Sequence, residues 1–307
     1  MKLKYYFNYF KRRMTPKALL NLRRRGLEKK YVSQQDYIKQ RVGYYIKLDR
    51  SFRLPNEAVS IGRFNHKGQS QYVIDLMSVM RFFPDTFRFL YHFGDETHIE
   101  PYPTIFKARP IDGDNENSII MKLVTYRHFR FVEDKKDFAD KKDLAVFRGA
   151  VTQPHRIRFM EQMFDHPLVD AGQSNQSDSH PEWKKPFMSV EEQLDYKFII
   201  CLEGNDVASN LKWAMSSNSV VVSPKMKFET WFMEGTLVPG IHYIEVKDDW
   251  SDLEEKLSFY ISNPDEARKI VSNAHDYLKP FRDEDLEELV SIKTLETYFS
   301  LSGQLTR

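Results

Sequence analysis

The stretch that most constrains the fold is residues 195–224, DYKFIICLEGNDVASNLKWAMSSNSVVVSP. Within it, residues 198–202 are a continuous apolar run, which is typical of a strand covered on both faces. Residues 207–215 have a helical pattern, and the valine-rich residues 219–223 predict a second strand. A strand–helix–strand unit of this size predicts two parallel strands joined by a right-handed crossover.

The turn after the first predicted strand points to a class of ligand. Gly204 permits a tight turn, and Asp206 stands where an N-cap would begin the helix. In parallel units of this kind, the turn and the helix N-terminus form a seat for phosphate. The pattern therefore favours a nucleotide-like ligand at this position.

The same alternation of strands and helices recurs along the chain, over residues 59–93 and again over residues 144–171. It predicts an α/β protein made of two doubly wound, Rossmann-like domains that face a central cleft. We expect an N-terminal domain over residues 1–140 and a C-terminal domain over residues 141–281. The helical residues 282–307 are expected to pack back on the first domain.

Composition excludes several other classes of protein. An apolar fraction of 41% in 307 residues is enough for a buried core, so the chain is not expected to be disordered. The single cysteine, Cys201, cannot form an internal disulfide, which suits a reducing compartment. No run of 18 apolar residues and no apolar signal segment are present. These features predict a cytoplasmic protein.

The charge is distributed unevenly. Residues 1–30 carry net +10, so the remaining residues carry −8 of the overall +2. Two basic clusters, residues 11–13 and 23–25, lie beside aromatic residues, namely Tyr5, Tyr6, Phe7, Tyr9 and Phe10. This mixture suits an anionic membrane surface, and therefore a peripheral position at the inner membrane face. A solvated basic helix is the alternative, and nucleic acid is a less favoured partner.

Most motifs with a known chemistry are absent. The chain has no GxGxxG, P-loop, HExxH or GxSxG sequence. His155, His166 and His180 are scattered without the spacing of metal ligands, so no metal site is predicted.

A second anion-binding pattern begins with FRGA at residues 147–150 and continues with QPHR at residues 153–156. A strand ends, a glycine opens a turn, and Pro154 lies near the start of a helix, where proline is tolerated. Backbone N–H groups and arginines would converge there on anionic oxygens. The alternative is that Arg156 and Arg158 are ordinary surface residues of the helix.

These motifs in this order, together with PGIHYIEVKDDWSDLEEKL at residues 239–257, resemble glycosyltransferase family 90 over roughly residues 85–280. This family comprises protein O-glucosyltransferases, fungal capsule-associated proteins and bacterial lipopolysaccharide-modifying transferases. The resemblance implies the GT-B architecture, a UDP-sugar donor, inversion at the anomeric carbon and no metal or other cofactor.

The resemblance also implies roles for the residues of the first anion-binding turn. Arg148, Gly149 and Ala150 match the family's FRGS-type turn, with Ala150 in place of its serine. Arg156 matches the arginine that is expected near the diphosphate of the donor.

Further donor-binding positions follow from the other motifs. Ser209, Asn210 and Lys212 match the family's second donor segment, but Asn210 replaces an arginine that binds phosphate in eukaryotic members. The turn at Gly204, which precedes this segment, is also expected to face the donor. His242 begins the segment that helps to hold the donor. Two carboxylates are expected to contact ribose or sugar hydroxyls, or else to be solvated, namely Glu229 and Glu234.

The family's catalytic base is an aspartate at a strand end of the first domain, which selects Asp95, with Glu96 in reserve. An inverting transfer needs one carboxylate near the acceptor hydroxyl. The alternative is that Asp95 only caps the turn after Gly94.

The resulting hypothesis is an inverting, metal-independent transferase that moves glucose or xylose from UDP to a glycan or lipid-linked glycan, in lipopolysaccharide or capsule biosynthesis. The alternative is a non-catalytic nucleotide- or glycan-binding protein with a degenerate site. A nucleic-acid-binding protein that acts through residues 1–30 is a third hypothesis.

Overall fold

The structure is a computed structural model that describes residues 5–7, 9, 14–176 and 179–305. The first predicted basic cluster, residues 11–13, and Phe10 lie outside the described residues. Within the described part of the chain, no helix is both long enough and apolar enough to cross a membrane.

The α-helices, numbered in chain order, are α1 (Lys17–Lys30), α2 (Gln35–Tyr45), α3 (Ser70–Met80), α4 (Thr125–His128), α5 (Pro154–Met163), α6 (Val190–Gln193), α7 (Leu211–Met215), α8 (Leu253–Ser262), α9 (Pro264–Leu278) and α10 (Glu284–Leu301). The strands are β1 (Val59–Ser60), β2 (Arg88–Phe89), β3 (Thr104–Phe106), β4 (Ala108–Pro110), β5 (Ser118–Ile120), β6 (Lys142–Gly149), β7 (Val169–Gln173), β8 (Tyr196–Ile200), β9 (Val220–Pro224), β10 (Phe228–Thr230) and β11 (Ile244–Val246).

The chain divides into two compact units that are not contiguous in sequence. Unit one takes its described residues from 1–128, 227–235 and 280–307, and unit two from 129–226 and 236–279. The predicted limits of the functional domains, 1–140 and 141–281, stay predictions.

Unit two is built on a five-stranded sheet in the order β11-β9-β8-β6-β7, with every pairing parallel. All five residues of β8 are buried, as expected for a strand covered on both faces. Helices α5, α8 and α9 contribute apolar residues to its core. The α/β class and the parallel pairing predicted for residues 195–224 are confirmed.

The turn between β8 and α7 is longer than predicted. Helix α7 begins at Leu211 with Asn210 as its N-cap, so the prediction that Asp206 begins the helix is wrong. The Gly204 amide donates to the Asp206 carbonyl at 2.8 Å, which closes a tight turn, while the Asn210 amide side chain donates to the Ile200 carbonyl at 3.0 Å. These bonds fix the segment between β8 and α7.

The described strands of unit one form three pairs instead of one wound sheet: β1 with β2, β3 with β5, and β4 with β10. The predicted strand–helix–strand pattern over residues 59–93 is present, but β1 and β2 pair antiparallel. The chain turns after Pro84 and returns beside the end of β1. The amides of Ile61 and Gly62 donate to the carbonyls of Phe87 and Asp85 at 2.8 Å each, which holds the two segments together.

Helix α10 forms the centre of unit one and packs against α1, α2 and α3. Its buried Glu287 ion-pairs with buried Arg41 of α2, and it accepts hydrogen bonds from Lys122 Nζ at 2.9 Å and Trp231 Nε1 at 2.6 Å. The Trp231 ring stacks on Tyr45 with a centroid separation of 3.8 Å. Burial acts to raise the pKa of Glu287, but the charges of Lys122 and Arg41 outweigh it and hold the pKa below its usual range.

Candidate active site

The strand order of unit two defines where a ligand would sit. If its five strands are counted along the chain from β6 as the first, their order across the sheet is 2-1-3-4-5. The neighbours β6 and β8 are therefore the point from which the connections lead to opposite sides of the sheet. In doubly wound sheets, ligands bind outside the carboxyl ends of the strands at this switch point. The carboxyl ends of β6 and β8 carry the predicted turns at Gly149 and Gly204.

Arg156 joins the two turns. From α5, its Nη1 donates to the Ala150 carbonyl at 2.8 Å, its Nη2 to the Leu202 carbonyl at 2.7 Å, and its Nε to the Glu203 carbonyl at 2.8 Å. Burial lowers the pKa of Arg156, but a guanidinium remains charged at neutral pH. A fixed positive charge therefore lies at the switch point.

The turn after β6 depends on local sterics. A Cβ atom at Gly149 would lie 2.9 Å from the Phe147 ring, closer than real contacts allow, so the position requires glycine. Pro154 occupies the first turn of α5, as predicted. The next residue, His155, bonds through Nε2 to the Glu203 carbonyl at 2.8 Å, which reinforces the link to the second turn.

Arg148 has a different environment. Its Nη1 donates to the Asp170 carbonyl at 2.7 Å, and its Nη2 to the Asp170 carboxylate at 2.8 Å. Burial acts to raise the pKa of Asp170, but hydrogen bonds from Tyr196, Lys185 and Arg148 outweigh it and lower the pKa to about 2. Arg148 therefore links β6 to β7, and its predicted contact with the donor stays a prediction.

The residues of the second donor segment differ in their exposure to solvent. Ser209 is exposed in the segment between β8 and α7, whereas the Asn210 side chain binds the end of β8. Lys212 is fully buried, with its Nζ 6.0 Å from the centroid of the Phe129 ring.

Two further predicted residues are not part of the turns after β6 and β8. His242 precedes β11 and so lies toward the amino ends of the strands; its Nδ1 accepts from the Val238 amide at 2.9 Å, and burial lowers its pKa. Glu229 belongs to unit one, where it is buried and accepts from Arg109 Nε at 2.7 Å and from Tyr44. Their donor contacts stay predictions.

The predicted base lies in unit one, on a turn after Gly94, whose φ of 126° favours glycine. Asp95 ion-pairs with Lys107 and, at 3.4 Å, with Arg127, and it accepts from the Tyr72 hydroxyl at 3.3 Å. Burial acts to raise the pKa of Asp95, but the charges of Lys107 and Arg127 outweigh it and lower the pKa. The reserve residue, Glu96, is exposed.

Two residues that support these turns were not predicted from the sequence, namely Lys107, which pairs with Asp95, and Asn175. The buried Lys107 stands in the apolar run TIFKA, and a lysine in such a run signals an ion pair. Asn175, whose Oδ1 accepts from the Val151 amide at 2.7 Å, gave no comparable signal.

Fold and site together define a doubly wound α/β protein with a charged switch point at the carboxyl end of its parallel sheet. Residues 119–294 match the family model described as glycosyl transferase family 90, which is more than half of the chain. The chain belongs to this family and is a glycosyltransferase.

The relatives agree with this assignment. The chain is 42% identical over 264 residues to the O-glucosyltransferase LpsA of Dichelobacter nodosus, covering 86% of this chain and 83% of that protein. It is 28% identical over 153 residues to protein O-glucosyltransferase 3 of Homo sapiens, covering 47% of this chain and 30% of that protein.

Proposed function

We propose that this protein is an inverting, metal-independent glycosyltransferase that moves a sugar from a UDP donor to a glycan acceptor in lipopolysaccharide or capsule biosynthesis. Glucose is the first choice of sugar, because the relative LpsA is named an O-glucosyltransferase, and xylose is the second. A GT-B arrangement, with unit one on the acceptor side and unit two on the donor side, is part of this proposal.

The observation that carries the proposal is the position of Arg156 at the switch point. A guanidinium has five N–H donors, and three of them bond to the carbonyls of Ala150, Leu202 and Glu203. The two that remain, on Nη1 and Nη2, are available to donate to phosphate oxygens. A cation held in this way stabilises the charge that develops on a departing diphosphate.

The proposed reaction is a single displacement. The acceptor oxygen forms a bond to the anomeric carbon, the bond from that carbon to UDP breaks, and Asp95 takes the proton of the acceptor hydroxyl. Lys107 and Arg127 hold the Asp95 carboxylate in place through their ion pairs.

The experiment is a donor screen of the purified chain with UDP-glucose and UDP-xylose, with and without EDTA. We expect one donor to raise the melting temperature, because a ligand that binds the folded state stabilises it. We also expect release of UDP to persist in EDTA. Absence of both UDP binding and EDTA-resistant donor hydrolysis would refute the proposal.

A second candidate is a non-catalytic nucleotide- or glycan-binding protein. Arg148 is held by Asp170, and Asn210 stands where relatives carry an arginine, so the phosphate contacts are fewer than the family pattern implies. Asp95→Asn separates the two candidates. Loss of turnover with UDP binding retained supports the enzyme, whereas UDP binding without turnover in either form supports the binding protein.

We also propose that α1 places the protein on an anionic membrane surface, as a peripheral protein at the cytoplasmic face of the inner membrane that reaches a lipid-linked acceptor. Leu19 and Leu22 are 53% and 60% exposed, and exposed Arg25 and Lys29 lie on the same helix. By contrast, four other cations of α1 are engaged in ion pairs inside unit one, namely Lys17, Arg23, Arg24 and Lys30. The exposed leucines with Arg25 and Lys29 form the membrane-binding face.

Flotation with vesicles containing phosphatidylserine tests this face. We expect the double change Leu19→Ser and Leu22→Ser to abolish binding, and Arg25→Gln to weaken it about fivefold, which is the effect of one surface cation. Phe259→Ser, at a similarly exposed residue of unit two, is the matched control. Equal binding by the double variant and the parent would rule out this face, and RNA binding by α1 would favour nucleic acid instead.

A further inference from the structure

The turn that carries Asp95 also brings together three side chains for which the proposed reaction has no use. The sequence from residue 92 to residue 100 is HFGDETHIE, and it bends at Gly94. One ligand atom each from His92, Glu96 and His98 lies within 4.8 Å of the others. The side chains of His92, Glu96 and His98 are 41%, 50% and 43% exposed, so ions in the solvent can reach them.

The distances suit a metal ion better than a direct ion pair. His98 Nδ1 lies 3.6 Å from the Glu96 carboxylate, which is too long for a hydrogen bond. Tetrahedral zinc with bonds of 2.0–2.1 Å separates its ligands by about 3.3 Å. Small side-chain movements would therefore bring both atoms into the first coordination sphere of one ion.

Glu100 supplies the support that metal-binding histidines use. Its Oε1 lies 2.9 Å from His98 Nε2, so the carboxylate accepts the Nε2 proton and leaves a lone pair on Nδ1. A carboxylate that fixes the tautomer of a histidine in this way is typical of zinc sites.

The two imidazole rings are held by a buried aromatic residue. The His92 ring stacks on Phe106 at an interplanar angle of 19°, and the His98 ring meets Phe106 edge-on at 5.5 Å. Phe106 is fully buried in β3, and the two imidazole centroids are 4.6 Å apart. The rings are therefore positioned before any ion arrives, which reduces the entropy cost of binding.

We propose that His92, Glu96 and His98 form a binding site for one divalent ion of the zinc class, with its remaining position open to water. Two imidazoles and one carboxylate favour zinc over magnesium or calcium, which prefer oxygen ligands. This site is separate from the proposed transfer, because the Asp95 carboxylate on the same turn is engaged by Lys107 and Arg127.

Titration calorimetry with zinc chloride tests the site, using the full chain without a polyhistidine tag and stripped of metal. We expect one zinc ion per chain, a higher melting temperature with zinc than without it, and no response to magnesium. His98→Ala should weaken zinc binding at least tenfold, and Glu100→Gln should weaken it by about 10–100-fold.

His180→Ala is the matched control, because His180 also lies beside a glutamate, Glu182, at 3.1 Å. It should bind zinc like the parent. Should His98→Ala fold poorly, Glu96→Gln removes a ligand while keeping the shape of the side chain, and it too should lose affinity. Parent-like zinc binding by both His98→Ala and Glu96→Gln, or no zinc binding by the parent, would overturn the proposal.

Discussion

Arg156 illustrates how one side chain can serve both the fold and a ligand. Its three hydrogen bonds join the turn after β6 to the turn after β8, and its two remaining N–H groups face no described acceptor. Loss of the guanidinium should therefore affect the free energy of unfolding and the affinity for UDP together.

We predict that Arg156→Lys lowers the affinity for UDP at least tenfold and destabilises the protein by about 1–3 kcal/mol, because a compact ammonium cannot reproduce the planar fork that reaches three separate carbonyls. Urea unfolding and titration calorimetry with UDP measure the two effects. Arg158→Lys, at an exposed position of the same helix, should change neither. An Arg156→Lys variant that binds UDP like the parent would show that the proposed phosphate contact is absent.

Residues whose role follows from local sterics could be predicted from the sequence. The position of Pro154 at the start of α5 is confirmed. The partners of Arg156 and Arg148 could not be predicted, because they lie on strands, or in the turns after them, whose order in the sheet the local pattern does not specify. The convergence of His92 and His98 was missed for a similar reason, since it depends on the turn at Gly94 and the wall formed by Phe106.

At the scale of elements, a buried carboxylate links α3 to α4. Asp75 accepts from the Thr125 amide at 2.7 Å and hydroxyl at 3.0 Å, and from the Tyr5 hydroxyl at 2.8 Å. Burial is the main cause that raises the pKa of Asp75 to about 6, and the hydrogen bonds only partly oppose it. Folding therefore favours the protonated carboxyl.

This shift has a defined effect on stability. Since the pKa is higher in the folded protein than in the unfolded chain, the stabilisation is complete below about pH 4 and is lost as pH rises through about 6, for a total of about 3 kcal/mol. We predict that Asp75→Asn removes this component. The measurement is the difference in urea midpoint between parent and variant from pH 4 to pH 7.

The difference in urea midpoint between the parent and the Asp75→Asn variant is the quantity to compare. Carboxylates with a lowered pKa, such as Asp170 and Glu287, make stability rise with pH in the parent and the variant alike, so their effect cancels in the difference. Asp36→Asn, at an exposed position of α2, should leave the pH dependence unchanged. A constant difference between parent and Asp75→Asn across this range would contradict the assignment.

Elements with a strong pattern were predicted better than their ends and pairings. The apolar run of β8 and the valines of β9 identified two central strands, because burial on both faces leaves a clear signal. The start of α7 was placed four residues too early, since the bond from Asn210 to Ile200 is tertiary. The antiparallel pairing of β1 with β2 was missed because it depends on the turn after Pro84.

At the scale of the whole molecule, each unit has its own core, and this gives a prediction about cooperativity. Glu287 neutralises buried Arg41 in unit one and also pairs with half-buried Lys122. We predict that Glu287→Gln lowers the free energy of unfolding by about 3–5 kcal/mol, because it removes the counter-charge of the buried Arg41 guanidinium. Hydrogen exchange should show the loss of protection in α2 and residues 227–235.

The sheet strands β6 and β8 of unit two should keep their protection in the same experiment. Glu284→Gln, at an exposed position in the first turn of α10, is the matched control and should cost no more than about 1 kcal/mol. Equal loss of protection in β6 and β8 would show that the units unfold as one.

The pairing of Arg41 with Glu287 also bears on how the chain folds during synthesis. The two residues are 246 positions apart, and β10 must likewise reach back to β4. At 5–20 residues per second, a ribosome needs on the order of tens of seconds to make the partner of Arg41. Unit two can fold while translation continues, but unit one cannot be completed until α10 has left the exit tunnel. Chaperones that bind nascent chains would therefore meet unit one as an unfolded, basic polypeptide.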